Sequence, residues 1–362
     1  MRRASVAPPD IVHRSRIRRF GLVIAGAVVL AACSSNESAG SAPTIVSDTA
    51  ASTTADVATT VVDTAPATTA ADTATTAVDT TASADTASAD TAPSVDPTTA
   101  ALVEARPVDV IVPDGLSDEP APLVVVLHGY SGTADVQQQY FRFQEEAAAR
   151  GAILAYPDGT TNQRDLQFWN ATEACCNFFG ADVDDVAYLS AVVDHVRSLH
   201  AVDPQRIYLA GHSNGGFMSY RVACERADLF AAVVSLAGAT YVDPDDCAPS
   251  EPVSIAQVHG TLDEVIAYDG GDIIGNEYPS AAVTAATWAA YNGCDTAIEP
   301  GGEAIDLDQD LADAETTVAR FGGCPTNGAA ELWTIADGRH IPELTDGFAA
   351  AVFDFFDAHP KG

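Results

Sequence analysis

A serine between glycines is the residue of this sequence best placed to do chemistry. Residues 211–215 read Gly-His-Ser-Asn-Gly, which fits the pattern Gly-x-Ser-x-Gly. The pentamer lies between an apolar run at 206–210 and a segment with helical character at 215–226, and this pattern requires such a strand–turn–helix context. The turn would expose the hydroxyl of Ser213 and aim backbone N–H groups of a helix N-terminus at the site. We therefore predict that Ser213 is a nucleophile.

A nucleophilic hydroxyl needs a base, and the base needs an orienting carboxylate. In sites built on this turn, the chain order is serine, acid, histidine. Of the histidines, only His340 follows the last predicted strand in a loop, and we predict that it is the base. Asp263 follows the apolar run at 253–258 and is predicted to be the acid, with Glu264 as the alternative.

Acyl transfer also needs backbone donors for the oxyanion of its tetrahedral intermediate. One donor should be the N–H of Asn214, directly after the serine, and the second should come from the loop after the first buried strand. Residues 128–132 (His-Gly-Tyr-Ser-Gly) form that loop after the run ending at Leu127. We predict the N–H of Tyr130 as the second donor. Removal of one such donor typically costs about 10²–10³ in rate.

The segments that must position these residues alternate between strand and helix. Short runs rich in apolar residues predict strands buried on both faces of a parallel sheet, and apolar residues at helical spacing lie between them. The loops after parallel strands meet at one edge of the sheet, where ligands bind. The predicted strands are 123–127, 152–156, 206–210, 231–236, 253–258 and 331–335, and the predicted helices are 136–150, 182–200, 215–226, 280–292 and 346–359.

The N-terminal third of the sequence has a different character. Residues 1–32 combine a basic stretch, a short apolar stretch and small residues before Cys33, which is typical of a secretory signal. The ending Leu-Ala-Ala-Cys resembles the bacterial lipobox, which would make Cys33 a lipidated N-terminus; an ordinary signal peptide is the alternative. Residues 33–101 are rich in Thr, Ala, Ser and Asp, lack aromatic residues and are predicted to be a disordered tether. Residues 102–362 are predicted to form one domain.

The charge and the cysteines narrow the possible partners. The 362 residues carry a formal net charge of −34, which argues against binding to nucleic acid or to an anionic membrane face. We therefore expect membrane contact only through the N-terminal lipid. The predicted domain has an even number of cysteines, which in an exported chain indicates disulfides without defining their pairing: Cys175, Cys176, Cys224, Cys247, Cys294 and Cys324.

Neither the cysteines nor the acidic residues predict a metal site. No Cys–His spacing typical of a metal site accompanies the cysteines. Asp306, Asp308 and Asp310 alternate as in a calcium loop, but the glycine and the final glutamate of such a loop are missing. We expect no metal and no other cofactor; weak cation binding by the acidic loop at 295–315 is the alternative.

Further motifs occur in a fixed order along the predicted domain. They are Leu-His-Gly (127–129), Phe-Trp-Asn (168–170), Cys-Cys (175–176), Val-Asp-Asp-Val (183–186), Gly-His-Ser-Asn-Gly-Gly-Phe-Met-Ser (211–219), Leu-Phe-Ala-Ala (229–232) and His-Gly-Thr-x-Asp (259–263). Together they resemble the esterase/polyhydroxybutyrate depolymerase family, which is related to the feruloyl and acetylxylan esterases of carbohydrate esterase family one. The resemblance spans about residues 107–359. It implies an α/β-hydrolase fold, hydrolysis of carboxylic esters, and the roles given above to Ser213, Asp263 and His340.

The resemblance also implies details around the site. A disulfide would join Cys294 and Cys324, while Cys175 and Cys176 would be shared between Cys224 and Cys247. Independently of the resemblance, Trp169 lies in an insert between strand and helix and is predicted to line the substrate pocket, with a packed core aromatic as the alternative. His128 and His212 are also predicted to contact substrate. The family usually shows Gly-Gly-His-Trp-Pro-Gly around its base, whereas residues 338–343 are Gly-Arg-His-Ile-Pro-Glu, and this departure bears on substrate choice.

These observations predict an exported, monomeric serine esterase that works without a cofactor. Its substrates would be feruloyl or acetyl esters of plant polysaccharide, or polyesters of the polyhydroxybutyrate type. We expect it outside the cell, tethered to the membrane by a lipid or released. An acyltransferase on the same fold and a non-catalytic, carbohydrate-binding envelope lipoprotein are the alternatives.

Overall fold

A sheet of nine strands lies at the centre of the computed structural model, which describes residues 97–302 and 304–362. Two short hairpins, β4–β5 and β9–β10, lie outside this sheet. The strands are β1 Val108–Ile111, β2 Ala121–Leu127, β3 Ile153–Pro157, β4 Thr160–Thr161, β5 Gln167–Phe168, β6 Val202–His212, β7 Ala232–Leu236, β8 Ser254–Gly260, β9 Gly271–Ile273, β10 Asn276–Tyr278, β11 Ile298–Pro300, β12 Thr316–Phe321 and β13 Ala330–Ile335.

The strand order of the large sheet is β1-β3-β2-β6-β7-β8-β13-β12-β11. Pairing is parallel from β3 through β13 and antiparallel where β1, β12 and β11 join at the two sides. All residues of β2, β3, β7 and β8 are buried, as expected for strands covered on both faces. The mostly parallel sheet with helices on both sides is an α/β-hydrolase fold, which confirms the predicted fold class.

Two apolar cores lie on opposite faces of the sheet, because alternate side chains of each strand point to opposite sides. The helices are α1 Pro97–Ala105, α2 Ala134–Phe141, α3 Gln144–Arg150, α4 Asp185–Leu199, α5 Asn214–Glu225, α6 Ala281–Tyr291 and α7 Asp346–Ala358. Along β2, Leu123 and Val125 pack with residues of α4, α5 and α6, whereas Val124 and Val126 pack with α2, α3 and α7.

The structure differs from the predicted elements in several places, among them the short hairpins β4–β5 and β9–β10, which were not predicted. The helix predicted at 136–150 is two helices, because Arg142 adopts a left-handed conformation (φ 52°) and ends α2. The strands β1, β11 and β12 were not predicted; they are short or exposed at the sides of the sheet and lack a continuous apolar run. Helix α1 begins at Pro97, so 97–101, predicted to belong to the tether, are helical.

The remaining N-terminal predictions lie outside the described residues. These are the signal at 1–32, the lipidation of Cys33 and the tether up to residue 96. Among the described residues, no helix combines the length and the apolar character needed to cross a membrane.

Three disulfides are present in the described part of the chain. The pairing of Cys294 with Cys324 confirms the prediction. The predicted sharing of Cys175 and Cys176 between Cys224 and Cys247 is wrong. Cys224, at the end of α5, faces Cys247 with Cα atoms 5.6 Å apart, within the usual range for a bridge, while the two adjacent cysteines pair with each other.

Candidate active site

The turn between β6 and α5 holds Ser213 in an unusual backbone conformation. Its φ is 54° and its ψ is −119°, a region that non-glycine residues seldom occupy. The N–H of Ser213 donates to the carbonyl of Leu236 at the end of the neighbouring strand β7, 2.8 Å away. This bond to the sheet holds the strained serine, with its side chain at the carboxyl edge of the sheet.

Two glycines let the strand and the helix around this turn approach closely. A Cβ atom on Gly215 would lie 2.5 Å from the carbonyl oxygen of Leu127, the last residue of β2. A Cβ atom on Gly211 would lie 2.2 Å from the carbonyl oxygen of Gly215. Since both contacts are with backbone, a larger residue would displace the helix N-terminus from the sheet.

The structure brings together the three side chains of the predicted catalytic triad. The Ser213 hydroxyl donates to Nε2 of His340 over 3.0 Å, and Nδ1–H of His340 donates to Oδ2 of Asp263 over 2.8 Å. All three residues are more than nine-tenths buried, with exposures of 7–8%. A hydroxyl, an imidazole and a carboxylate in this order are the arrangement that activates a serine for acyl transfer.

Asp263 accepts more hydrogen bonds than the one from His340. Its Oδ1 accepts from the N–H groups of Val265 and Ile266, and its Oδ2 lies 3.2 Å from Nε2 of His259. Burial would raise the pKa of Asp263, but the hydrogen bonds from His259 and His340 outweigh it and hold that pKa well below its usual value. The carboxylate therefore stays ionised beside the base. The alternative acid, Glu264, instead points to Arg339, 3.8 Å away.

A buried chain of polar side chains continues behind the carboxylate. Nδ1 of His259 accepts from the side-chain amide of Gln257, and the Gln257 carbonyl oxygen accepts from the Tyr220 hydroxyl. Nε2–H of His259 also donates to the carbonyl of Ile266. Sequence analysis missed these supporting roles, although the His-Gly-Thr-x-Asp motif begins with His259.

The loop that carries His340 is held by side chains from distant elements. His212 donates from Nε2–H to the carbonyl of His340 over 2.9 Å, and the Tyr140 hydroxyl donates to the carbonyl of Pro342 over 3.1 Å.

Two more hydrogen bonds hold the end of this loop. The N–H of Glu343 donates to Asp308, and Arg142 donates to the carbonyl of Leu344. No motif in the sequence pointed to Tyr140 or to Asp308 as a support for the base.

His212 is neutral in this position. Burial, together with the nearby imidazole of His340, lowers the pKa of His212 to about 3. A neutral ring that donates from Nε2 can hold the His340 loop without adding positive charge beside the base.

The loop after β2 lies against the nucleophile, where the second oxyanion donor was predicted. A Cβ atom on Gly129 would lie 3.4 Å from the Cβ of Ser213. Within the described part of the chain, the N–H groups of Tyr130 and Asn214 have no acceptor. The side chain of Asn214 is bonded in both directions to the backbone of Trp169. Among the described residues, the two predicted donors are thus free of protein acceptors.

The predicted substrate contacts of Trp169 and His128 need correction, because both side chains are almost fully buried and paired with protein. The contact predicted for His212, which is as exposed as His340, stays a prediction. Trp169 is fully buried, and its indole N–H donates to the carbonyl of His128. His128 accepts from the N–H of Gly159 and donates to the carbonyl of Gly129. These residues hold the loops around the site. Among the described residues, no group of three His, Cys, Asp or Glu side chains could hold a metal ion.

Comparison with known proteins finds a partial match to a family model and similarity to esterases. The model of the prolyl oligopeptidase family matches residues 140–269, a span that includes Ser213 and Asp263 and ends before His340. Feruloyl esterase B of Piromyces equi is 33% identical over 198 residues, covering 52% of this chain and 36% of that protein. The putative esterase NocK of Nocardia uniformis subsp. tsuyamanensis is 31% identical over 196 residues, covering 52% of this chain and 54% of that protein.

The chain thus spans about half or less of the length of these curated relatives. Among solved structures, an acetyl xylan esterase from Aspergillus awamori superposes with a TM-score of 0.48 at 16% identity, covering 69% of this chain and 93% of that chain. The sequence relatives support an esterase family, which confirms the esterase part of the resemblance drawn from the ordered motifs.

Proposed function

We propose that this protein hydrolyses carboxylic esters through an acyl-enzyme formed on Ser213. The observation that carries the proposal is the hydrogen-bonded series from Ser213 through His340 to Asp263, beside two backbone N–H groups without an acceptor. Nucleophile, base, orienting acid and oxyanion donors are then all present at one edge of the sheet.

In the acylation step, the Ser213 oxygen attacks the ester carbonyl carbon while Nε2 of His340 takes the hydroxyl proton. The carbonyl oxygen becomes an oxyanion that the N–H groups of Tyr130 and Asn214 stabilise. Asp263 stabilises the imidazolium through Nδ1–H and does not itself take the proton. His340 then returns the proton to the departing alkoxide oxygen, and the alcohol leaves.

In the deacylation step, a water molecule takes the place of the alcohol. His340 removes its proton as the water oxygen adds to the acyl carbon. The second intermediate then collapses, the bond to the Ser213 oxygen breaks, and His340 returns the proton to that oxygen as the acid leaves. An acyltransferase would use a sugar hydroxyl in place of water, and the ratio of transfer to hydrolysis with an added acceptor distinguishes the two.

The proposed substrates are feruloyl or acetyl esters of plant polysaccharide, with polyhydroxybutyrate-type polyesters as the second class. The names of the sequence relatives, feruloyl esterase and acetylxylan esterase/xylanase, support the first class. The match to the prolyl oligopeptidase family adds peptide amides as a candidate to be tested. Rates on methyl ferulate, acetylated xylan, hydroxybutyrate oligomers and a prolyl 4-nitroanilide peptide would rank the four.

The decisive experiment is covalent labelling by a fluorophosphonate. One label per chain is expected on the wild-type protein and none on Ser213→Ala. Absence of label on the folded wild-type protein would overturn the proposal and favour a non-catalytic carbohydrate-binding lipoprotein.

We also propose that the enzyme is an exported monomer, tethered through a lipid on Cys33 or released. The three disulfides support an oxidising compartment outside the cytosol. Radioactive palmitate should label the protein in a bacterial host that processes lipoproteins, and the label should be lost in Cys33→Ser. Light scattering of the released enzyme should give the mass of one chain.

A further inference from the structure

A cleft of about 620 Å³ lies between the 170–178 segment, α5 and the β9–β10 hairpin. Its size is within the range of sites that bind small molecules. Sites for apolar ligands are lined mainly by hydrophobic side chains, whereas most residues here are polar. The polar residues that line it include Asn170, Glu173, Asn177, Arg221, Tyr241 and Asn276.

The 170–178 segment forms one wall of the cleft, and both ends of this wall contact residues of the proposed oxyanion site. At the start of the wall, the backbone N–H and C=O of Trp169 bond the side chain of Asn214. At its far end, the ring of Phe178 packs edge-on against the ring of Tyr130, with centroids 5.2 Å apart. Asn214 and Tyr130 are the residues whose backbone N–H groups are the proposed oxyanion donors, so the segment that forms this wall contacts both of them.

The β9–β10 hairpin forms the opposite wall, and it is hydrogen-bonded to the segment that follows Asp263. The N–H of Ile266 donates to Asp263, and the N–H of Ala267 donates to the Tyr278 hydroxyl at the end of the β9–β10 hairpin. The tip of that hairpin, at Ile274, forms the rim of the cleft and is 81% exposed. Both walls of the cleft are therefore bonded to segments that carry residues of the proposed catalytic site.

Several polar groups of the cleft are free to bind a ligand. Arg221 is occupied, since it donates to Glu225 and to the carbonyl of Asn170. In contrast, the side chains of Glu173, Tyr241 and Asn276 make no hydrogen bond within the described part of the chain. A carboxylate accepts, whereas a phenol and an amide both donate and accept, which matches the hydroxyl groups of a sugar.

We infer that this cleft binds the carbohydrate part of the ester, an inference that rests on the proposed function. Sugar hydroxyls would pair with Glu173, Tyr241 and Asn276, and the exposed ring of Phe178 would offer apolar surface to the C–H face of a sugar ring. The ester carbonyls of a hydroxybutyrate oligomer can accept from Tyr241 and Asn276, but its chain carries no hydroxyl donor for the carboxylate of Glu173. Binding of the carbohydrate thus selects polysaccharide esters over polyesters.

The test compares two acetyl esters that differ in the alcohol, acetylated xylotetraose and 4-nitrophenyl acetate. In the double variant Tyr241→Phe/Asn276→Ala, the ratio of kcat/KM for the sugar ester to kcat/KM for the small ester should fall about tenfold, because two hydrogen bonds to the sugar are lost. The matched control is Asn327→Ala. Asn327 is exposed before β13, at the opposite edge of the sheet, and its removal should leave the ratio unchanged.

A second measurement does not depend on turnover. Unmodified xylotetraose, titrated calorimetrically into Ser213→Ala, should bind, and the added double substitution should weaken binding about tenfold. An unchanged ratio, or equal binding by both proteins, would overturn the role of the cleft. If the wild-type enzyme hydrolyses neither ester, the proposed function fails, while the titration still decides whether the cleft binds carbohydrate.

Discussion

The turn that carries Ser213 and the loop that carries His340 reach the same hydrogen bond by different means. The serine turn is held by backbone: Gly211 and Gly215 bring strand and helix together, and the N–H of Ser213 bonds the sheet. In the loop from 336 to 345, the carbonyls of His340 and Pro342 accept hydrogen bonds from side chains of other elements, His212 and Tyr140. Steric fit therefore positions the nucleophile, whereas individual hydrogen bonds position the base.

This difference has a consequence for substitutions. Backbone contacts in a packed turn leave no room for an added atom, so changes there should act as all-or-none events. Each side-chain hydrogen bond to the His340 loop contributes a small and separate amount, so changes there should be graded.

The largest effects should come from removing the reacting groups themselves. Ser213→Ala and His340→Ala should each lower kcat about 10⁴-fold or more, and the double variant should be no worse than the poorer single variant, because the two residues act as one unit. Steady-state rates on 4-nitrophenyl acetate measure all three. Additive losses in the double variant would show that the two regions do not serve one chemical step.

A change in the serine turn should come next. In Gly215→Ala, the new methyl group would collide with the carbonyl of Leu127 and shift the N–H of Asn214, so kcat should fall about 10²–10³-fold, as for loss of an oxyanion donor. The control is Gly302→Ala, where a Cβ atom would meet nothing within 4 Å. An active Gly215→Ala enzyme with an unchanged melting temperature would contradict the steric account.

The side-chain supports of the His340 loop should appear in the pH dependence of stability. The pKa of His212 falls from 6.5 to about 3 on folding, so between these values the unfolded chain binds the extra proton. The contribution of neutral His212 to the free energy of unfolding is fully present above pH 6.5. It decreases as the pH falls below 6.5, by up to about 1.4 kcal/mol per pH unit.

Urea unfolding at pH 6.5, 5.5 and 4.5 would measure this slope. His212→Gln keeps a donor for the His340 carbonyl but cannot titrate, so its free energy of unfolding should fall less steeply. Burial also lowers the pKa of His128, but that residue is present in both proteins and cancels in the comparison. Equal slopes would contradict a buried, neutral His212.

The smallest effect should come from one hydroxyl at the His340 loop. Tyr140→Phe loses the bond to the Pro342 carbonyl, and kcat/KM should fall about three- to tenfold as the base becomes less well positioned. Tyr291→Phe is the matched control, since its hydroxyl also donates to a carbonyl, that of Pro244. A loss as large as that of Gly215→Ala would show that the loop is not held by graded contacts.

Local sequence carried enough information to predict most of the fold and the residues of the triad. The turn at Ser213 is recognisable because its glycines, strand and helix are contiguous. Asp263 and His340 follow from the order of strands, since loops after parallel strands meet at one edge. The division of 136–150 into two helices was missed because an arginine is not a residue type that predicts a left-handed conformation, which Arg142 adopts.

Tertiary structure alone decided which side chains support the site and which line the cleft. Tyr140 and Pro342 are 202 residues apart in the chain, and their contact exists only because α2 packs beside the loop after β13. The pairing of Cys224 with Cys247 also depends on how distant elements pack. So does the burial of Trp169, which keeps this side chain away from a substrate. A pattern of neighbouring residues records local conformation and the order of elements, whereas the pairing of distant side chains depends on how whole elements pack.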